Sequence, residues 1–443
     1  MFINFKKIMA TITTAILIFL MSIPAATANK KDDYLRIGVL YGSSAASEFT
    51  LVSESGFVVG IENDRIFTEE KTIENTELKI TTDENGFIHY GEEIFDTSSN
   101  QRLTFFSAGD NLLSGNEKKY RGGLEFLNVG NGLMTVINFL TVDDYVKGVV
   151  PREVPASWHI EALKAQAVCA RNYSITNKNK HKSENFDVCT TVHCQVYGGF
   201  DAEKASTNNA VDATAGEYLK YEGKLAQTLF SSSTGGHTGN AKYVWGNDIP
   251  YLRGVANDFE TPADNPRYTW TKTLTTEQIE LKLIEKNIAI GSIKTITSKI
   301  DETTGQVYEL TINGTNGSHT FKNDGTRGCF GSDVLLSQFY AVTPVTTPAT
   351  SGILAITSNG KKNLSDYCVI SKNGNTSSIT FPFTIKSAAT KETVNPQAMA
   401  YRFDGRGWGH GLGLSQYGAK GMADKGYTYK QILEHFYPGT VLE

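Results

Sequence analysis

Glu153 is a lone carboxylate in the run Val149-Val150-Pro151-Arg152-Glu153-Val154-Pro155-Ala156-Ser157-Trp158. Two prolines bracket it, and proline pushes its preceding residue out of the α region, so a stiff, non-helical corner is predicted there. Apolar Val149, Val150, Val154 and Trp158 would disfavour the charged carboxylate by desolvation, leaving the neutral form a general acid needs. The competing reading is a solvated loop glutamate. Cys189 and Cys194 are separated by four residues, with His193 between them and His181 upstream. Thiolate and imidazole at this spacing suit Zn²⁺, while a local disulfide or two free thiols are the alternatives. The third stretch is Gly405-Arg406-Gly407-Trp408-Gly409-His410-Gly411-Leu412-Gly413-Leu414-Ser415-Gln416-Tyr417. Its five spaced glycines allow close packing or positive φ and set Trp408 and His410 on a tight turn before a helix. Without a Lys-Ser/Thr ending it is not a phosphate loop. It reads either as a structural turn or as the edge of a polar groove carrying His410, Ser415 and Gln416.

The elements that must hold these residues are legible in outline. From Asp32 to about Phe126 the pattern alternates as strands, with a hairpin-like turn at Asp83-Glu84-Asn85-Gly86, and carries no catalytic constellation. This half reads as a domain for binding or scaffolding. Thr141 with Asp144 resembles a capping box. A helix is predicted from Ile160 to Asn177, with Ser157 as its N-cap, and another from Glu203 to Ala215. Tyr218–Tyr221 and Leu225–Phe230 read as paired strands leading into the loop Ser231-Ser232-Ser233-Thr234-Gly235-Gly236-His237. Residues 271–397 read as an insertion with an amphipathic helix at Glu277–Lys286 and a short helix at Ser332–Tyr340. Thr428 and Gln431 form a capping box for a last helix through Phe436.

Composition bounds the answer. A chain of 443 residues, 40% hydrophobic and 20% charged, is an ordinary globular protein with room for two or three domains. With 42 basic against 47 acidic residues and no basic stripe, nucleic acid is not an expected partner. Lys6 and Lys7, the apolar run Ile8–Ile23 and Ala26-Thr27-Ala28 describe a secretory signal peptide over residues 1–28, with an uncleaved anchor as the alternative. Either way the chain is expected outside the cytoplasm, secreted or membrane-anchored. Of the five cysteines, Cys169 is expected to be buried, and Cys329 with Cys368 could form a disulfide.

Four segments together resemble the SpoIID/LytB family, which includes stage II sporulation protein D and the modifier of amidase. They are Tyr145–Pro155, Glu161–Arg171, Gln195-Val196-Tyr197-Gly198-Gly199 and Gly407–Ala419, in the family's order. The resemblance covers about Leu127–Val255 and Ala400–Leu442. It implies an α+β fold: a SpoIID/LytB core (127–270 and 398–443), an N-terminal β-rich domain (29–126) and a mixed α/β insertion (271–397). Val154 stands where methionine is usual in the family.

The implied activity is that of a lytic transglycosylase on peptidoglycan glycan strands, especially those stripped of stem peptides, in sporulation or cell-wall remodelling. The family's catalytic glutamate falls on Glu153. One carboxyl group suffices for such chemistry, where most glycosidases use a pair. Some sporulation members carry a structural zinc ion near the active site, and Cys189, Cys194 and His181 match it best, with His193 as the alternative histidine. Sugar rings need stacking faces and short polar side chains, which Gln195, Tyr197, Ser231, Ser232, Ser233, His237, Trp408 and His410 could supply, with Ser415 and Gln416 at the groove edge. The polyserine loop has no evident core role. The amidase-modifier branch implies a second possibility, a non-enzymatic stimulator of a cell-wall amidase. A third is a wall protein that binds glycan without cutting.

Overall fold

A computed structural model describes residues 34–96, 101–109, 112–345 and 398–443, together with six hairpin strands inside 346–397. The signal segment at 1–28 and the side chain of Cys368 lie outside the described residues. The chain forms two compact units. One comprises the residues up to Val149 with Asn177–Ala202, and the other Val150–Thr176 with Glu203–Glu443.

The first unit is built from two sheets. The larger has the strand order Val188–Cys189, Tyr34–Leu40, Leu133–Thr141, Gly123–Gly130, Arg102–Ser107, Phe57–Asn63, Ile66–Ile73. The smaller runs Lys118–Arg121, Leu112–Gly115, Glu48–Val52, Glu77–Thr82, Phe87–Tyr90, Glu93–Asp96. Alternation turns Phe49 and Leu51 inward from one strand, and Phe49 meets Phe126 of the larger sheet edge-on at 5.5 Å. The N-terminal strands thus have a positioning task that composition did not reveal. Tyr34–Leu40 pairs in parallel with Val188–Cys189, through Ile37 with Val188 and Gly38 with Cys189. Gly38 is required there, because a Cβ would lie 2.6 Å from the Phe186 ring.

A buried ion network fixes this edge. Asp187 accepts from both terminal nitrogens of Arg65, at 3.0 and 2.9 Å, and from the Arg36 backbone N–H at 2.8 Å. Arg36 in turn pairs with Glu62 and Glu125, and Arg102 joins it on Glu125. Burial pushes the Glu125 carboxyl up, and the two guanidiniums oppose that shift.

Helix α1 spans Val142–Glu153 and begins as expected, with the Asp144 N–H donating to Thr141 Oγ1 at 3.2 Å. It does not stop at Pro151. Proline's fixed φ is itself helical, so the helix continues through it, at the cost of the bond to the Lys147 carbonyl and of crowding between that carbonyl and the ring. Glu153 is therefore the last residue of a helix rather than part of a non-helical corner. The Val154 N–H still reaches the Val150 carbonyl at 3.0 Å, and Pro155 prevents further winding.

In the second unit, α2 (Ile160–Thr176) is buried on nearly every side, and its alanines allow close neighbours. Its start is held by His159 and not by Ser157: the His159 carbonyl accepts from the Ala162 and Leu163 N–H groups, and its Nδ1 accepts from that of Glu161. Helix α3 (Ala205–Asp212) is shorter than expected, its following turn clamped by fully buried Arg171, which donates to the carbonyls of Val211 and Glu217. Phe230 does not extend the hairpin of Leu219–Tyr221 with Lys224–Leu225. Phe230–Ser231 pairs instead in parallel with Leu414–Ser415.

The inserted region holds α4 (Thr276–Glu285) and two three-stranded sheets. No helix forms over 332–340. Ser337 Oγ donates to the Arg406 carbonyl and accepts from the Phe339 N–H, and Gln338 donates to the backbone carbonyls of Val307 and Asn323. Side-chain bonds of this kind compete with a helix for the backbone. Among the described residues Cys329 is a free, buried thiol directed at the Thr326 carbonyl, and its expected pairing with Cys368 falls outside them. The C-terminal segment folds as α5 (Gln416–Asp424), capped by Ser415, and α6 (Tyr429–Phe436), capped by Thr428 with Gln431.

Candidate active site

In the first unit, four side chains converge. The ligand atoms of His181, Cys189, His193 and Cys194 all lie within 4.8 Å of one another. His181 Nε2 stands 3.1 Å from His193 Nδ1, which is 3.8 Å from each sulfur. His181 and His193, read from sequence as alternatives, therefore both face the cluster. His181 Nδ1 is bonded to the Glu184 carboxylate, and its ring stacks on Phe186 at 4.7 Å. Such an outer carboxylate is how a metal-binding imidazole is usually oriented. Burial opposes ionisation of Cys189, but hydrogen bonds from Thr191 and His193 outweigh it and bring the thiol down. Burial and the neighbouring Cys189 push Cys194 up. An N₂S₂ set of this size fits a tetrahedral ion of the Zn²⁺ class.

Two expected groove residues in this unit are occupied otherwise. Tyr197 is buried, stacks on Tyr145 at 5.2 Å, and donates its hydroxyl to Asn138 Oδ1 at 2.8 Å. Gly148 makes room for it, since a Cβ there would lie 2.4 Å from the ring. Gln195 is also buried, and its Oε1 accepts from the Tyr145 hydroxyl at 3.4 Å.

The second unit brings together the end of α1, the serine loop and the glycine-spaced turn. Glu153 is half-buried, beside buried Val154. Past that corner the Trp158 ring meets Tyr417 at 5.3 Å, and the Tyr417 N–H donates to the Ser232 carbonyl at 3.1 Å. The serine loop is tied to the turn twice more, through the Ser231–Ser415 pairing and a bridge between Ser233 and Trp408. Trp408 is exposed, and the Arg267 guanidinium lies 4.6 Å from its ring centroid while donating to Ser232 Oγ at 3.0 Å. Gln416 donates to Gln166 Oε1 at 3.4 Å. His237, half-buried, donates from Nδ1 to the Thr238 carbonyl.

Not every candidate presents a free polar group. His410 Nδ1 accepts from the Leu412 N–H at 3.0 Å, bracing the turn. Burial, with Arg327 adding to it, lowers its pKa to about 4, so the ring is neutral. Ser233 has a core role after all, donating to Glu260 Oε2 at 2.6 Å.

Glu260 is the residue that sequence reading missed. It is buried and accepts from Ser233, Thr234, Gly235, Asn257, Asn265 and Ser415, drawing both candidate loops onto one carboxylate. Its sequence neighbours, Asn257-Asp258-Phe259 before it and Thr261-Pro262 after it, carry no motif, so nothing distinguished it. Arg406 was missed too, and donates to the Thr234 and Gly235 carbonyls.

The stage II sporulation protein (SpoIID) family model matches residues 130–221, from the Leu133–Thr141 strand through α1, α2, the metal-type cluster and α3. The chain belongs to the SpoIID family. Over 317 residues it is 32% identical to the amidase enhancer of Bacillus subtilis (strain 168), covering 67% of this chain and 40% of that one. It is 28% identical over 317 residues to stage II sporulation protein D of the same organism, covering 68% and 74%. An uncharacterized protein of Brachyspira hyodysenteriae is 32% identical over 323 residues, covering 72% and 71%. The chain thus spans about two fifths of the amidase enhancer's length.

Proposed function

We propose that this SpoIID-family chain is an exported or membrane-anchored cell-wall protein that cuts peptidoglycan glycan strands as a lytic transglycosylase. Glu153, neutral, donates its proton to the oxygen linking N-acetylmuramic acid to N-acetylglucosamine as the C1–O bond breaks. The resulting carboxylate takes the proton of the muramic acid C6 hydroxyl, whose oxygen bonds to C1 and closes a 1,6-anhydro ring. No water is consumed, and the glutamate ends protonated as it began.

What supports this reading most is the Trp158–Tyr417–Ser232 contact chain. It ties the segment that follows the Glu153 helix end to the serine loop and to the turn bearing Trp408. A carboxyl group on a helix end, tied through these contacts to a loop of short hydroxyls and a turn with an exposed indole, suits a sugar strand. Cys189, Cys194, His181 and His193 would hold a zinc ion that stiffens their loop. With every protein donor engaged, such an ion would keep no open position for activating water.

The amidase-enhancer relative supports a second reading, stimulation of a cell-wall amidase. Mass analysis of peptide-free strands incubated with purified protein separates the two. Anhydro-muramoyl ends without any amidase support cleavage. Unchanged strands, with stem-peptide release accelerated only when an amidase is added, would replace it with the second reading.

A further inference from the structure

A groove of about 610 Å³ opens on the inserted region, where the strands Thr269–Thr275, Ala400–Arg406 and Tyr340–Val345 face Ser298 and Ile300. Trp270, Gly405 and Tyr340 stand in register across the sheet. Gly405 lets the indole lie flat on the strand, since a Cβ would come within 2.2 Å of the ring. The indole Nε1 is buried and has no hydrogen-bond partner among the described residues.

Around this aromatic wall the charges are already spent. Arg406 gives its terminal nitrogens to the carbonyls of Thr234, Gly235 and Thr304, and its guanidinium lies over Phe339 at 4.4 Å. Asp404 accepts from Thr271 Oγ1 at 2.9 Å and from Arg402 at 2.8 Å. What remains is a near-neutral trough of hydroxyls and ring faces, unsuited to gripping a densely charged polymer and suited to sugar rings. Its end adjoins the candidate site, because Arg406 lines the groove and Trp408 is two residues on, at most about 7 Å along the chain.

We propose that this groove is a second glycan subsite, which takes the continuation of the strand held at Trp408 and gives the protein a preference for long chains. The proposal rests on the glycan reading of the Glu153 site but not on its turnover.

Binding is the test, measured by calorimetry on full-length protein carrying Glu153→Gln, with disaccharide fragments and with long peptide-free strands. Ala341→Trp fills the groove from an exposed strand position without entering the core. It is expected to weaken long-strand binding about tenfold, the loss of roughly one stacked ring, with disaccharide affinity and melting temperature unchanged. Trp270→Phe, which keeps the packing, should remove the part of the fluorescence change that long strands induce beyond the change seen with disaccharides. If both variants bind long strands as tightly as their parent, the groove is not a subsite. Protein that binds no glycan of any length overturns this proposal and the proposed function together. Binding of the predicted pattern by a wild-type protein that cuts nothing overturns the catalytic reading alone and supports the subsite.

Discussion

Ser233 donates its hydroxyl to Glu260 Oε2 at 2.6 Å, and the same carboxylate holds Ser415 across the parallel strand pair. Two segments nearly two hundred residues apart in sequence are thereby registered on one buried anion.

Replacing Glu260 with alanine would leave buried hydroxyl and amide donors without an acceptor. Loss of one partner from such a network costs about 3–5 kcal/mol. In a unit of this size, melting should fall by roughly 6–15 °C. Calorimetric melting of Glu260→Ala checks this, and a shift within about 2 °C would show that the network is dispensable.

The paired thiols and imidazoles make a quantitative prediction about metal. Purified wild-type protein should carry about one zinc per chain, and Cys189→Ser should carry far less. A strong chelator should lower the melting temperature of the wild type and leave that of the variant unchanged. Elemental analysis that finds no metal in the wild type would remove zinc from the account.

Asp187 connects the N-terminal strands to that cluster. Asp187→Ala frees Arg65 and the Arg36 N–H, costing about 3 kcal/mol, and unclamps the strand that ends in Cys189. Zinc retention in competition with a chelator should fall along with stability. Retention equal to wild type would separate the N-terminal sheet from the metal loop.

His410 sets a pH dependence. Its folded pKa lies near 4, below the usual value of 6.5, so between those values the unfolded chain binds more protons than the folded one. Stability from this group is complete above about pH 6.5 and declines as pH falls toward 4. The decline should amount to about 2 kcal/mol after allowance for the ring's partial exposure. His410→Asn, which keeps a side-chain acceptor, should flatten that part of the stability profile. A variant profile parallel to wild type would assign the slope elsewhere.

Local signals were readable where one segment decides its own conformation. The alanine-rich run specified α2 to within a residue of its end, and the Thr428–Gln431 box specified the start of α6. The prolines around Glu153 misled because proline's fixed φ is itself helical, and the helix continues through Pro151 despite the lost bond to the Lys147 carbonyl. The site was legible as far as its motifs reached: the two cysteines, the serine loop and the glycine-spaced turn. Glu260 was not legible, because its role consists entirely of partners distant in sequence. Tyr197 and Gln195 sit in a motif yet face the interior, a distinction that residue type alone does not carry.

Glu153→Gln, compared with wild type on peptide-free glycan strands, tests the central claim most directly. The amide keeps the shape of the side chain and cannot deliver a proton. Release of anhydro-muramoyl products, followed by mass spectrometry, should fall by at least about a hundredfold with folding and zinc content unchanged. Product release at the wild-type rate would contradict the assignment of Glu153 as acid and base.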